Sequence, residues 1–157
     1  LALALASERP AWRVTGVDRI ESAVALAQRN QQQLQLPNAV FLHSHWFSAL
    51  AGRRYDLIIS NPPYIADNDP HLQQGDLRFE PLSALVSGPD GLDDLRLIIA
   101  QAPSYLSANG WLLLEHGFDQ AGAVRELLQQ AGFVDVSSQR DLSGHERITL
   151  GRLPSLS

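Results

Sequence analysis

Asn61-Pro62-Pro63-Tyr64 follows directly on the apolar run Leu57-Ile58-Ile59-Ser60. Pro62 drives Asn61 out of helical dihedrals into extended backbone. The two prolines offer carbonyls with no N–H beside them. The result is a surface rich in acceptors: the Asn61 side-chain oxygen and the Pro62 carbonyl. Two neighbouring acceptors suit a planar –NH₂ group with two hydrogens to give, and the Tyr64 ring offers a face for a flat amide or base. Such a nitrogen is a poor nucleophile because its lone pair is delocalised. Holding that lone pair toward an electrophile, with the delocalisation reduced, is the help this chemistry needs. A Pro-Pro turn ending a core strand, with Tyr64 as a packing residue, is the competing reading. Mechanism alone leaves both open.

Asp18 is the second candidate, at the end of the first strand signal, Trp12 to Val17. In dinucleotide-type folds an acid at this place accepts hydrogen bonds from ribose hydroxyls, about 20 residues after a glycine-rich loop. Counting back that far runs past Leu1, so the loop is expected upstream of this sequence. LALALA at the start then reads as the helix that follows the loop, built from strong helix formers. A signal-peptide tail is the alternative, but no basic n-region accompanies it. For Asp18, a plain turn or helix-capping role competes.

These candidates need elements to position them, and strands alternate with helices along the chain. Ile20 to Leu34 reads as a helix, with Ile20, Val24, Ala27 and Leu34 near one face, and Pro37-Asn38 breaks it. Ala39 to Leu42 and Tyr55 to Ser60 read as strands, the second apolar enough to be buried on both faces of a parallel sheet. Residues 66–90, rich in Asp, Pro and Gly, read as a long loop with a short helical turn around Leu82 to Val86. Leu92 to Leu106 reads as a helix with Pro103 near its end. Trp111 to Glu115 follows as a strand after the turn Asn109-Gly110, and Gln120 to Ala131 as a helix stopped by Gly132. Phe133 to Ser138 and Arg147 to Leu150 form a closing strand pair around Ser143-Gly144. With no helix between its members, that pair predicts an antiparallel edge. The alternation predicts an α/β, Rossmann-like doubly wound sheet, with ligands outside the carboxyl ends of its strands.

Composition sets bounds on function. The 157 residues suffice for one domain with a core. With 12 basic and 17 acidic residues the net charge is −5, which gives no overall electrostatic footprint for a nucleic-acid backbone. The absence of cysteine removes disulfides, thiolate metal sites and a Cys nucleophile. It fits a reducing compartment, and the expected location is cytoplasmic. No apolar run approaches the roughly 18 residues of a membrane span, so no membrane partner is expected.

Asn-Pro-Pro-Tyr after an apolar strand resembles the signature of S-adenosylmethionine-dependent methyltransferases acting on planar nitrogens. The surroundings narrow the resemblance. GVDRI at 16–20, SHWFSAL at 44–50, SNPPYI at 60–65, RFEPLSALVSGPDGLDDLRLII at 78–99, LLLEHG at 112–117 and GHERITLGR at 144–152 look like the HemK/PrmC family. Its members methylate the glutamine side-chain nitrogen in the Gly-Gly-Gln motif of peptide chain release factors. The resemblance implies S-adenosyl-L-methionine as cofactor, a release factor as protein partner, and no direct nucleic-acid partner. It implies that Asp18 binds the cofactor ribose, that Trp46 lies beside the adenine, and that Asn61 touches both cofactor and substrate amide. Pro62, Pro63 and Tyr64 would shape the glutamine pocket, with Asn61, Pro62 and Tyr64 at the catalytic position. It also implies a mostly parallel sheet in the order 3-2-1-4-5-7-6. The family's helical N-terminal domain, first strand and Gly-x-Gly-x-Gly loop have no counterpart in residues 1–157. The expectation is thus a single incomplete methyltransferase catalytic domain with two exposed strand edges.

Other polar residues point less sharply. His43 and His45 stand two apart with no third ligand at metal spacing, so surface or packing roles lead and no metal is expected. Glu115-His116 ends a buried strand near the site, where either could line the pocket, though strand-end polar side chains ordinarily meet solvent. Asp67, Asp69 and Asp76 read as a solvated acidic loop or a lid over the pocket. No nucleophile–base pair or carboxylate dyad is evident, which fits direct methyl transfer. A protein-glutamine methyltransferase leads. A nucleic-acid amino-methyltransferase with the same pocket, and an inactive fragment, stay open beside it.

Overall fold

Residues 14–18 form the short strand β1 (Val14–Asp18), beside β2 (Ala39–His43), and the two run parallel in the register Val14↔Ala39 to Asp18↔His43. Gly16 lets them pack: a Cβ there would stand 2.6 Å from Phe41 Cε1, closer than any side chain can sit. The chain between them forms α2 (Glu21–Gln33), whose Val24 is buried. Ahead of β1, the Ala-Leu run is helical, as its composition predicts, and forms α1 (Ala2–Glu8). Asn38 ties this helix down. Its amide nitrogen lies 3.0 Å from Ala6 O, 3.3 Å from Arg9 O and 2.9 Å from Trp12 O. Ala6 lies in the last turn of the helix, whose carbonyls lack intrahelical partners, while Arg9 and Trp12 lie in the segment that leads to β1. The breaker Pro37-Asn38 thus serves as an anchor as well as a stop.

This computed structural model describes residues 2–62 and 91–155. The helical turn expected around Leu82 to Val86 lies outside the described residues. The chain divides into two compact units, Leu1–Arg53 and Arg54–Ser157. The first holds α1, β1, α2 and β2, with Ala6, Val24, Ala39, Phe47 and Leu50 buried.

The second unit begins with β3 (Tyr55–Ser60), the span its apolar run predicts. After α3 (Asp93–Gln101) comes a 3₁₀ turn, Ala102–Tyr105, with Pro103 in its first positions. A proline can open a tight turn where it cannot continue an α-helix, so the expected helix end is a change of helix type. β4 (Leu106–Glu115) starts earlier than expected. Its register against β3 jumps from Tyr55↔Leu106 to Leu57↔Trp111, so residues 107–110 stand opposite Asp56 alone. Asn109 there takes φ 65°, and the expected turn is a bulge within the strand. α4 (Ala121–Gln130), β5 (Val134–Arg140) and β6 (Glu146–Arg152) complete the unit.

Its four strands lie in the order β3-β4-β6-β5. β3 and β4 are parallel, and β4-β6 and β6-β5 are antiparallel, which gives the predicted antiparallel edge. Leu95, Ile98, Leu106, Leu112, Leu114, Val124 and Leu128 fill the core, each at most 1% exposed. Within each sheet the neighbours are those of the methyltransferase order: its third and second strands in one, its fourth, fifth, seventh and sixth in the other. Among the described residues none takes the place of the first. β3 is only partly buried, because a described strand pairs with it on one side only.

Candidate active site

The carboxyl ends of β1 and β2 lie side by side, since Asp18 pairs with His43. Asp18 is exposed, and its Oδ1 accepts the Ile20 N–H at 2.9 Å. That is the turn-capping contact of the plainer reading. It uses one of about four acceptor positions on a carboxylate, and the rest of the group is open to water or hydroxyls. Its own carbonyl accepts the Ser44 N–H at 2.9 Å, which leads the chain from β2 into the next loop.

That loop, residues 44–50, is built around Trp46. Phe47 and Leu50 are buried and anchor it, while Trp46 is half-buried. Trp46 takes φ 52°, a left-handed backbone that is an outlier for a bulky aromatic. Ser44, 4% exposed, donates its hydroxyl to Trp46 O at 2.6 Å and accepts the Ala49 N–H at 3.0 Å. Ser48 Oγ accepts the His45 N–H at 3.0 Å.

In the second unit, Asn61 comes immediately after the last residue of β3 and is exposed, and Pro62 is fully buried. Pro63 and Tyr64 lie outside the described residues, as do Asp67, Asp69 and Asp76. Ser60 pairs with Leu114, so Asn61 emerges at the same sheet end as Glu115 and His116.

His116 departs from the expectation for a strand-end polar residue. It is 0% exposed, because β6 runs antiparallel past the end of β4 and covers it. Nδ1 lies 2.8 Å from Gly117 O, which can only accept, so Nδ1 carries the proton. Nε2 then accepts the Thr149 hydroxyl at 2.6 Å. Thr149 in turn accepts from Ser138 Oγ at 2.7 Å, and Ser138 accepts from Arg125 at 2.8 Å. Arg125 also donates to Glu146 Oε2 at 2.7 Å. With a neutral imidazole, every donor in this series points the same way. Burial agrees by holding the His116 pKa below its ordinary 6.5. The hydrogen bond from Arg125 holds the Glu146 carboxyl below its usual range. Asp141, at the β5–β6 turn, is lowered chiefly by the His145 N–H it accepts.

The histidine pair takes its surface role. His43 is exposed and its Nε2 lies 2.8 Å from Arg19 O, and His45 is exposed beyond the strand. Among the described residues no three His, Cys, Asp or Glu side chains could share a metal. No described helix is long and apolar enough to cross a membrane.

Residues 1–76 match the family model of the methyltransferase small domain. The release factor glutamine methyltransferase of Pseudomonas aeruginosa is 65% identical over 148 residues, 94% of this chain and 54% of that protein. Along nearly all of its own length, this chain is similar in sequence to proteins named release factor glutamine methyltransferase. The Escherichia coli protein of that name is 55% identical over 152 residues, 97% of this chain and 55% of its own length. The chain thus spans about half the length of the curated relatives it matches. Among solved structures, a methyltransferase from Pyrococcus furiosus superposes with a TM-score of 0.70 at 16% identity, covering 98% of this chain and 69% of its own. That likeness establishes the methyltransferase fold.

Of the predicted site residues, Asp18 and Trp46 fall in the first unit, on neighbouring strand ends. Asn61 and Pro62 fall in the second. Reasoning from the sequence missed the buried polar residues Ser44 and Thr149, and it noted His116 without expecting its burial. Ser44 carried a faint signal, a serine four residues before Ser48 with an aromatic pair between. His116 carried none, since its partner Thr149 stands 33 residues away.

Proposed function

We propose that this chain, read as a single incomplete catalytic domain over residues 1–157, transfers a methyl group from S-adenosyl-L-methionine to a glutamine side-chain nitrogen. The substrate is the Gly-Gly-Gln motif of peptide chain release factors, in the cytoplasm, without a direct nucleic-acid partner. The observation that carries this reading is the 65% identity to a release factor glutamine methyltransferase over 94% of the chain. The fold and the placement of the site residues support it.

The residues present fit the cofactor. Asp18 is an exposed carboxylate with acceptor capacity left for two ribose hydroxyls. Trp46 is a half-buried ring in the loop after the adjacent strand, suited to a flat base. When bound, S-adenosyl-L-methionine supplies a methyl group activated by its positive sulfur. Asn61 and the Pro62 carbonyl accept the two N–H bonds of the glutamine amide and fix the plane of its nitrogen. That orientation aims the nitrogen lone pair at the incoming carbon and replaces an entropic cost of encounter by prior positioning. Tyr64, next in sequence after the two prolines, is the aromatic residue this reading assigns to the amide face. In balance, the transfer would leave the cofactor as S-adenosylhomocysteine and release one amide proton to solvent. No covalent intermediate on the protein is required.

Incubating the full-length protein with radiolabelled S-adenosylmethionine and either a release factor or RNA tests the reading. Label in the release factor is expected. Label in RNA alone would transfer the pocket to nucleic-acid bases.

A further inference from the structure

The loop that presents Trp46 holds an unusual backbone, and its role rests on the reading of Trp46 as the residue beside the adenine. A tryptophan at φ 52° adopts a conformation that L side chains rarely take. Such an outlier persists only where its surroundings over-determine it. Here the surroundings are two backbone turns, Ser48 N–H to His45 O at 3.1 Å and Leu50 N–H to Phe47 O at 2.9 Å, together with two serine hydroxyls. Ser44, buried at 4% exposure, donates to Trp46 O at 2.6 Å and accepts from Ala49 N at 3.0 Å. Its oxygen lies 3.3 Å from Ser48 Oγ, and Ser48 accepts the His45 N–H at 3.0 Å. One hydroxyl therefore bridges the backbone on both sides of Phe47. Phe47, 7% exposed, fixes the loop to the core, so the core does not need the neighbouring ring. Trp46 is left half-buried in a fixed backbone, ready to meet a ligand.

We infer that Ser44 is a positioning residue for cofactor binding, holding Trp46 in its left-handed conformation so that the indole stands ready for the adenine. Ser44 touches no ligand itself. It lowers the ordering cost of binding by ordering the loop beforehand. A generic buried serine would affect stability alone. This one acts on cofactor affinity and acts through Trp46.

A double-mutant cycle in the full-length protein separates these roles, with S-adenosylmethionine affinity read by calorimetry and steady-state constants read alongside. Ser44→Ala should weaken cofactor binding roughly tenfold, the scale of one lost hydrogen bond plus an unpaired buried group. It should raise the cofactor KM and leave kcat nearly unchanged at saturation. Ser44→Cys keeps a donor, weaker and on a somewhat larger atom, so it should fall between. In a Trp46→Ala background, Ser44→Ala should add little. Full additivity of the two losses would overturn the inference, as would unchanged affinity in Ser44→Ala. If Trp46→Ala alone leaves affinity unchanged, the adenine reading of Trp46 falls, and the inference falls with it. Ser44→Ala losing affinity and Ser44→Cys losing just as much would also count against it, since the hydroxyl donor would then not be the cause.

Discussion

Asp18, the last residue of β1, and His116, the first residue past β4, are polar groups at carboxyl strand ends that behave oppositely, while Glu115, the last residue of β4, is exposed like Asp18. Asp18 at the end of β1 is exposed and bonds to a backbone N–H two residues away. His116, just past β4, is sealed from water and bonds to a hydroxyl 33 residues away. The difference lies in the neighbours. β4 has β3 on one side and β6 on the other, while β1 has only β2 among the described strands. A strand with two neighbours buries the residue just past its end, and a polar group buried there must find partners within the protein. Past β1, with one described neighbour, the corresponding residue Arg19 is exposed, and Asp18 beside it remains available to a ligand. Along the strands the contrast repeats, with Leu112 and Leu114 at 0% exposure and Val17 at 37%.

The largest effect should come from cutting into β4. Leu114→Ala removes a fully buried side chain and should cost about 2–5 kcal/mol, the range for such truncations. Val17→Ala in β1 should cost less than about 1 kcal/mol, because much of that side chain is already hydrated. Urea unfolding of the chain of residues 1–157 reads both. Equal losses would erase the proposed distinction between the two strands.

A smaller effect should come from the polar end of β4. Thr149→Val keeps the shape, removes the hydroxyl that His116 Nε2 accepts, and takes away the acceptor for Ser138. Leaving buried groups unpaired should cost about 1–3 kcal/mol. Acidity should act on the same place. The folded pKa of His116 is depressed below 6.5, so the unfolded chain takes up its proton first as pH falls. The stability this group contributes is complete above about 6.5 and is lost below it. Glu146 and Asp141 are also lowered, from ordinary values of 4.5 and 3.8, so their protonation lies beneath this window. Comparing urea midpoints at pH 7 and pH 5.5 should show a decline that His116→Asn flattens. A decline of the same size in that variant would assign the pH response elsewhere.

The same contrast governs what could be read from the sequence. β3 was legible to the residue, because an unbroken apolar run meets two prolines at its end. α1 was legible from Ala-Leu composition, and Asp18 and Asn61 from their places after strand signals. The early start of β4 was not, because the bulge at residues 107–110 depends on pairing with Tyr55 and Leu57. The burial of His116 depends on β6 passing over it, and no local pattern carries that information. The left-handed Trp46 is a single dihedral set by hydroxyls on either side, and hydrophobic periodicity does not register one angle.

The most direct test is mass spectrometry of a release factor after incubation with the full-length protein and S-adenosylmethionine. The peptide containing Gly-Gly-Gln should gain one methyl group on the glutamine side-chain nitrogen. Asn61→Ala should lower the rate by orders of magnitude while the protein stays folded, since Asn61 is exposed at a strand end. Asn61→Asp keeps an acceptor and should retain more activity than the alanine variant. Methylation of the same peptide at near-normal rates by both variants would contradict the role of Asn61 as the acceptor for the substrate amide.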